Sequence, residues 1–197
     1  TKRELKHWYR VKVQIFMTII QPVVWLGLFG QAFNIGRLFS APGMPPGLFQ
    51  QAFSGAPNYF SFMAIGMLAV NVLFTCMFSG MSIVWDRRFG FLNKLKVSPI
   101  PRGVIPVSRI FSTVIRAMIQ VVIVFAIAIA FNYVPGLTGL GLKEGFGAIE
   151  VLGSFAMLFL LAVGFASLFT TIALAVENQE TLFGVINLIN LPLMFAS

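Results

Sequence analysis

Trp85–Arg102 reads WDRRFGFLNKLKVSPIPR, the longest charged interval in a chain that is otherwise mostly apolar. It carries Arg87, Arg88, Lys94, Lys96 and Arg102 between two long apolar runs. A charge at the centre of a bilayer costs about 2.5–3.5 kcal/mol on insertion scales. The chain must therefore leave the membrane here and re-enter afterwards. Within the stretch, Trp85, Phe89, Leu92 and Leu95 share one helical face, and Arg87 and Lys94 lie opposite. Proline disfavours the α region in the residue before it, so Ser98-Pro99 is a stop. The spacing predicts a short helix from about Asp86 to Val97. Such a rod between two spans can be pushed by a partner. It can equally be a connecting loop that is basic only because cytoplasmic loops are basic.

Composition widens this into a fold class. Of 197 residues, 58% are apolar and 10% charged, with a mean hydropathy of +0.89. A soluble domain carries about 25% charged residues, so this balance belongs to a membrane protein. The 22 Phe and nine Met suit lipid-facing, loosely packed helices. We expect an all-α, polytopic helical membrane protein forming a single transmembrane domain over 1–197. Cys76 is the only cysteine and lies in an apolar run, so one chain builds neither a disulfide nor a thiolate metal cluster. His7, also alone, sits in a basic aromatic segment without a nearby acid. We therefore expect no metal site and no cofactor in this chain.

Taken in order, residues 1–12 form a basic amphipathic opening. Leu5, Trp8 and Tyr9 are on one stripe, and Lys2, Lys6 and Arg10 on another. This fits an interfacial helix in the headgroup plane; an ordinary basic flank of the first span is the alternative. Spans follow at about 13–33, 58–84, 110–131, 151–176 and 181–197, each near the length a ~30 Å hydrocarbon core requires. Gln21-Pro22 interrupts the first. Residues 34–57 and 132–150 read as Gly-rich outer loops, and 177–180 as a short polar turn. Gly66, Ser79 and Gly80 offer close-approach points for another helix. Arg116, one to two turns inside its span, is expected to snorkel toward the headgroups. Asn71, Gln120, Asn187 and Asn190 are amides inside apolar runs. They either join helix to helix or line a polar path for cargo, and spacing does not separate the two.

Charge placement orients the chain. With a cytoplasmic N-terminus, eleven Lys and Arg fall in inner segments and two, Arg37 and Lys143, in outer loops. That is a strong positive-inside bias. The net charge of +8 is then membrane-facing, and no nucleic-acid partner is expected. Five spans put the end of the sequence, which stops in an apolar run, on the outer side. A C-terminal truncation with at least one further span beyond Ser197 is the expectation, six in the whole protein.

Chemistry-bearing motifs are missing from the sequence. There is no GxxxxGK[ST] phosphate cradle, no HExxH and no GxSxG. None of the six acids, Glu4, Asp86, Glu144, Glu150, Glu177 and Glu180, lies mid-span, which argues against a proton relay. The chain reads as no enzyme in itself. Either a partner supplies energy or the protein is a passive channel or membrane scaffold; a GxxxxGK[ST] protein encoded alongside would separate the two.

The order of elements resembles the permease subunit of type-2 ATP-binding-cassette exporters, most closely the daunorubicin-resistance-like drug exporters. The similarity rests on Pro22, on Trp25–Gly30 (WLGLFG), and on Asp86, Arg87, Gly90, Leu92, Leu95, Ser98 and Pro99. The family usually has Glu where this chain has Asp86 and Thr where it has Phe91, which bears on subtype. The resemblance implies that 85–102 is a cytoplasmic coupling loop docking on an ATP-binding subunit. Asp86, Arg87, Gly90, Phe91, Leu92, Leu95, Ser98 and Pro99 are then the docking residues. It also implies ATP and Mg on that partner subunit, a second permease copy, a multi-pass place in the cell membrane, and outward movement of an amphipathic or hydrophobic cargo.

Overall fold

The computed structural model describes residues 20–28, 30, 56, 58–90, 101, 103–133, 139–141, 148–176, 178–196. Its elements are α1 (Tyr59–Arg88), α2 (Val104–Ala130), a 3-10 turn (Phe131–Tyr133), α3 (Ala148–Ala175) and α4 (Gln179–Ala196). Residues 20–28 are helical as well. No strand occurs among the described residues. Backbone amides in hydrocarbon must be satisfied internally, and a helix does this within one segment. Among the described residues, three helices are long and apolar enough to cross a membrane: Tyr59–Arg88, Val104–Tyr133 and Ile149–Ala175. α4, at 18 residues, rises about 27 Å. The interfacial helix expected over 1–12, and the first span apart from 20–28 and Gly30, lie outside the described residues.

The helices overrun the apolar runs that nucleate them. α1 has 30 residues and rises about 45 Å, well beyond a ~30 Å hydrocarbon layer. Its polar last turn, Asp86 to Arg88, simply continues the i→i−4 ladder. The start of the expected helix over 86–97 is therefore corrected: Asp86 to Arg88 finish α1, which turns off at Gly90, whose φ is 69°, and residues 91–97 lie outside the described residues. That left-handed value suits glycine at a helix C-terminus. The Gly90 amide bonds the Arg87 carbonyl at 3.0 Å. Trp85 and Phe89 belong to this helix end, and Leu92 and Leu95 lie outside the described residues. α2 likewise starts at Val104 instead of near 110, so Arg109 is helical. Pro106 falls in its first turn, where no intrahelical donor is required.

Packing divides the chain into two compact units, and the three long helices contribute to both. One unit takes α1 from Val72, α2 to Met118, α3 from Phe159, and α4. Its core is Val72, Cys76, Met81 and Val84 with Val114, Ala117, Phe169, Leu182 and Ile186. On α3, Ala162, Ala166, Phe169 and Ala173 repeat at helical spacing and are all buried. The three alanines of this row are small enough to let helix backbones approach. Gly80 uses this: a Cβ there would stand 3.0 Å from the Phe169 carbonyl oxygen. The Cys76 thiol points to the Ala162 carbonyl at 3.6 Å.

The other unit holds residues 20–28 and Gly30, α1 to Asn71, α2 from Ile119 and α3 to Leu158. Gly30 lies against the Phe60 ring, 2.7 Å from where its Cβ would be. The WLGLFG run thus ends where an aromatic ring needs the missing side chain. Phe60 also packs on Phe131, with ring centroids 5.6 Å apart. Asn58 caps α1, its Oδ1 accepting from the Ser61 amide at 2.8 Å. Its Nδ2 donates to the Gly139 carbonyl at 3.3 Å, and the Gly141 amide donates to Ser61 Oγ at 3.0 Å. Asn132 holds the Leu140 carbonyl at 2.7 Å. Residues 139–141 are thereby pinned to two helix ends. Asn58→Ala is expected to cost about 1–2 kcal/mol and to speed amide hydrogen exchange at Phe60 and Ser61; unchanged exchange there would show that the cap carries no stability.

Candidate functional site

The site begins with a polar seam between α1 and α2. Ser79, Ser82 and Asp86 fall three and four residues apart on α1, hence on one face. Arg109, Thr113 and Arg116 fall four and three apart on α2. Antiparallel packing sets the two rows against each other. Asp86 pairs with the Arg109 guanidinium, which also reaches Ser82 Oγ at 3.3 Å. Ser79 and Thr113 share a hydrogen bond, and the Thr113 hydroxyl donates to the Arg109 carbonyl at 2.9 Å. Arg116 donates to Ser79 Oγ at 3.4 Å. Arg116 therefore turns onto α1, where a snorkelling side chain was expected. Buried polar groups need partners, and here each row supplies the other.

The next residue along makes a different connection. The Arg87 guanidinium forks onto two main-chain carbonyls at the end of α3, Leu174 at 2.8 Å and Val176 at 3.0 Å. Terminal helix carbonyls have no intrahelical donor and carry the negative end of the helix dipole, so a cation there is doubly favoured. Asp86 and Arg87, adjacent in sequence, thus tie α1 to two separate helices. Arg88 is exposed and lines a cleft of about 510 Å³ with Asn178, Glu180 and Phe183, at the α3–α4 turn.

Of the residues singled out from sequence, Asp86, Arg87 and Gly90 gather at this helix end. Phe91, Leu92, Leu95, Ser98 and Pro99 lie outside the described residues. Among the amides, Gln120 is buried, Asn187 is exposed, and the side chain of Asn190 is outside the described set. Asn71 is half-buried, and its Nδ2 has no hydrogen-bond partner among the described residues. No three His, Cys, Asp or Glu side chains converge among the described residues. Sequence reasoning missed Ser82, Arg109 and Thr113. Their signal was present: polar residues at spacings of three and four near the ends of two apolar runs.

The chain is 30% identical over 191 residues to ycf38, a candidate transport permease of Cyanophora paradoxa, covering 95% of this chain and 58% of the relative. It is 27% identical over 199 residues to the protein of the same name from Pyropia yezoensis, covering 100% of this chain and 60% of the relative. The chain thus spans about three fifths of the length of these relatives. No solved structure matches it. The model of the ABC-2 type transporter family matches residues 1–197 from end to end. On that full-length match, the chain belongs to the ABC-2 type transporter family.

Proposed function

We propose that this chain is the membrane permease portion of an ATP-driven exporter that moves an amphipathic or hydrophobic cargo outward. Residues 85–99 form its cytoplasmic coupling segment, docking on a separate ATP-binding subunit that holds ATP and Mg. A second permease copy completes the pathway, and the N-terminus is cytoplasmic in the cell membrane. Family membership supports a transport subunit, and the sequence supplies no phosphate cradle of its own.

The observation that carries the reading is the double attachment at the mouth of the segment. Asp86 holds α2 through Arg109, and Arg87 holds the end of α3. A displacement of the segment is thus delivered to three helices together, as alternating access by stiff helices requires. The docking face combines apolar Leu92 and Leu95 with flanking charge: apolar area for affinity, charge for orientation. Leu92→Asp combined with Leu95→Asp in the full-length protein should abolish co-purification of the ATP-binding subunit and leave membrane insertion intact. Undiminished co-purification would refute the docking role and favour a passive channel or scaffold.

A further inference from the structure

The motif reading put Asp86 among the docking residues, yet its carboxylate is engaged elsewhere. It pairs with Arg109, whose side chain is only 15% exposed. Arg109 is locked on a second side by Ser82 Oγ, and its own carbonyl accepts from Thr113, which in turn meets Ser79. The pair is the end of a seam that runs through two turns of both helices. Guanidinium stays charged at any working pH, so this contact does not switch off by losing a proton. Arg87 differs in kind. It holds main-chain carbonyls, which water or any neighbouring carbonyl can replace in a new register. The link from the segment to α2 is thus residue-specific, and the link to α3 is exchangeable.

We propose that Arg109 is a positioning residue for transport: through Asp86 it makes α2 follow the displaced coupling segment, and Asp86 serves this clasp instead of the docking face. The inference rests on the proposed docking of 85–99 on an ATP-binding subunit. Its logic is geometric. Asp86 sits at the last turn of α1, four residues before the break at Gly90, and Arg109 lies within the second turn of α2. Whatever moves the chain after Gly90 pulls first on this pair. Docking affinity belongs to Leu92 and Leu95, beyond the break, so clasp and dock are separable by mutation.

The test uses the full-length permease purified with its ATP-binding subunit, with hydrogen exchange followed with and without ATP plus vanadate. In the unaltered complex, peptides covering 86–100 and 104–113 both change on adding nucleotide. In Arg109→Gln, the ATP-binding subunit still co-purifies and 86–100 still responds, while the response of 104–113 falls about tenfold, the scale of one lost coupling contact. The swap Asp86→Arg with Arg109→Asp restores the α2 response and keeps co-purification. An undiminished α2 response in Arg109→Gln overturns the proposal, as does a swapped protein that loses the ATP-binding subunit, since Asp86 would then dock directly. A swap that keeps the subunit but leaves α2 silent overturns it too. If no ATP-binding subunit accompanies even the unaltered protein, the underlying functional reading is what fails.

Discussion

Gly80→Leu is expected to separate α1 from α3 and to cost the folded protein about 3 kcal/mol, the upper end for overpacking a tight interface. The contact is with backbone: a Cβ at Gly80 would lie 3.0 Å from the Phe169 carbonyl oxygen and 3.2 Å from its Cβ. A carbonyl in mid-helix cannot rotate away, so the helices themselves must part. Gly164 provides the control, because nothing lies within 4 Å of its would-be Cβ. Gly164→Leu should leave stability unchanged or raise it by about 0.5–1 kcal/mol through helix propensity. Thermal unfolding of the purified protein in detergent measures both. Equal midpoints for the two variants would mean that α1 and α3 do not pack through Gly80.

Asp86→Leu should produce the second large effect. It leaves the mostly buried Arg109 guanidinium without its carboxylate. Removing one partner of a fully buried pair costs about 3–5 kcal/mol; with the Asp86 side chain 31% exposed, about 2 kcal/mol is the appropriate scale. The double variant Asp86→Leu with Arg109→Leu should recover most of that loss, because two apolar side chains replace the pair without stranding a charge. A double-mutant cycle then gives a coupling of about 1–3 kcal/mol. Strict additivity of the two single variants would refute the clasp. The same cycle separates stability from coupling, since the charge-swapped protein keeps the pair and should unfold with the native midpoint.

The local signals in the sequence were strong where one segment answers for itself. An apolar run of membrane length must become a helix, because hydrocarbon offers its amides no other partner. The runs around 58–84, 110–131 and 151–176 could be read as helices for that reason. Their ends were less legible. α1 runs on to Arg88 and α2 begins at Val104, because helical bonding continues through polar residues once started. The stop at Gly90 was written in the sequence as a glycine, but periodicity across 85–95 outweighed it. Gly90 is left-handed, and the helix ends there.

Composition and the length of the apolar runs were enough, alone, to determine a helical membrane protein. The partnerships came only from the tertiary structure. Periodicity tells which residues share a face of one helix, so Ser79, Ser82 and Asp86 form a visible row. It carries no information on which row of another helix will meet them, because that depends on packing between segments distant in sequence. Arg109 could thus be read as loop charge and Arg116 as a snorkelling side chain, until α1 and α2 were brought together. Arg87 could be read as a docking charge, until the end of α3 was found beneath it. One helix's chemistry is local; the meeting of two helices is decided by how small residues such as Gly80 let their backbones approach.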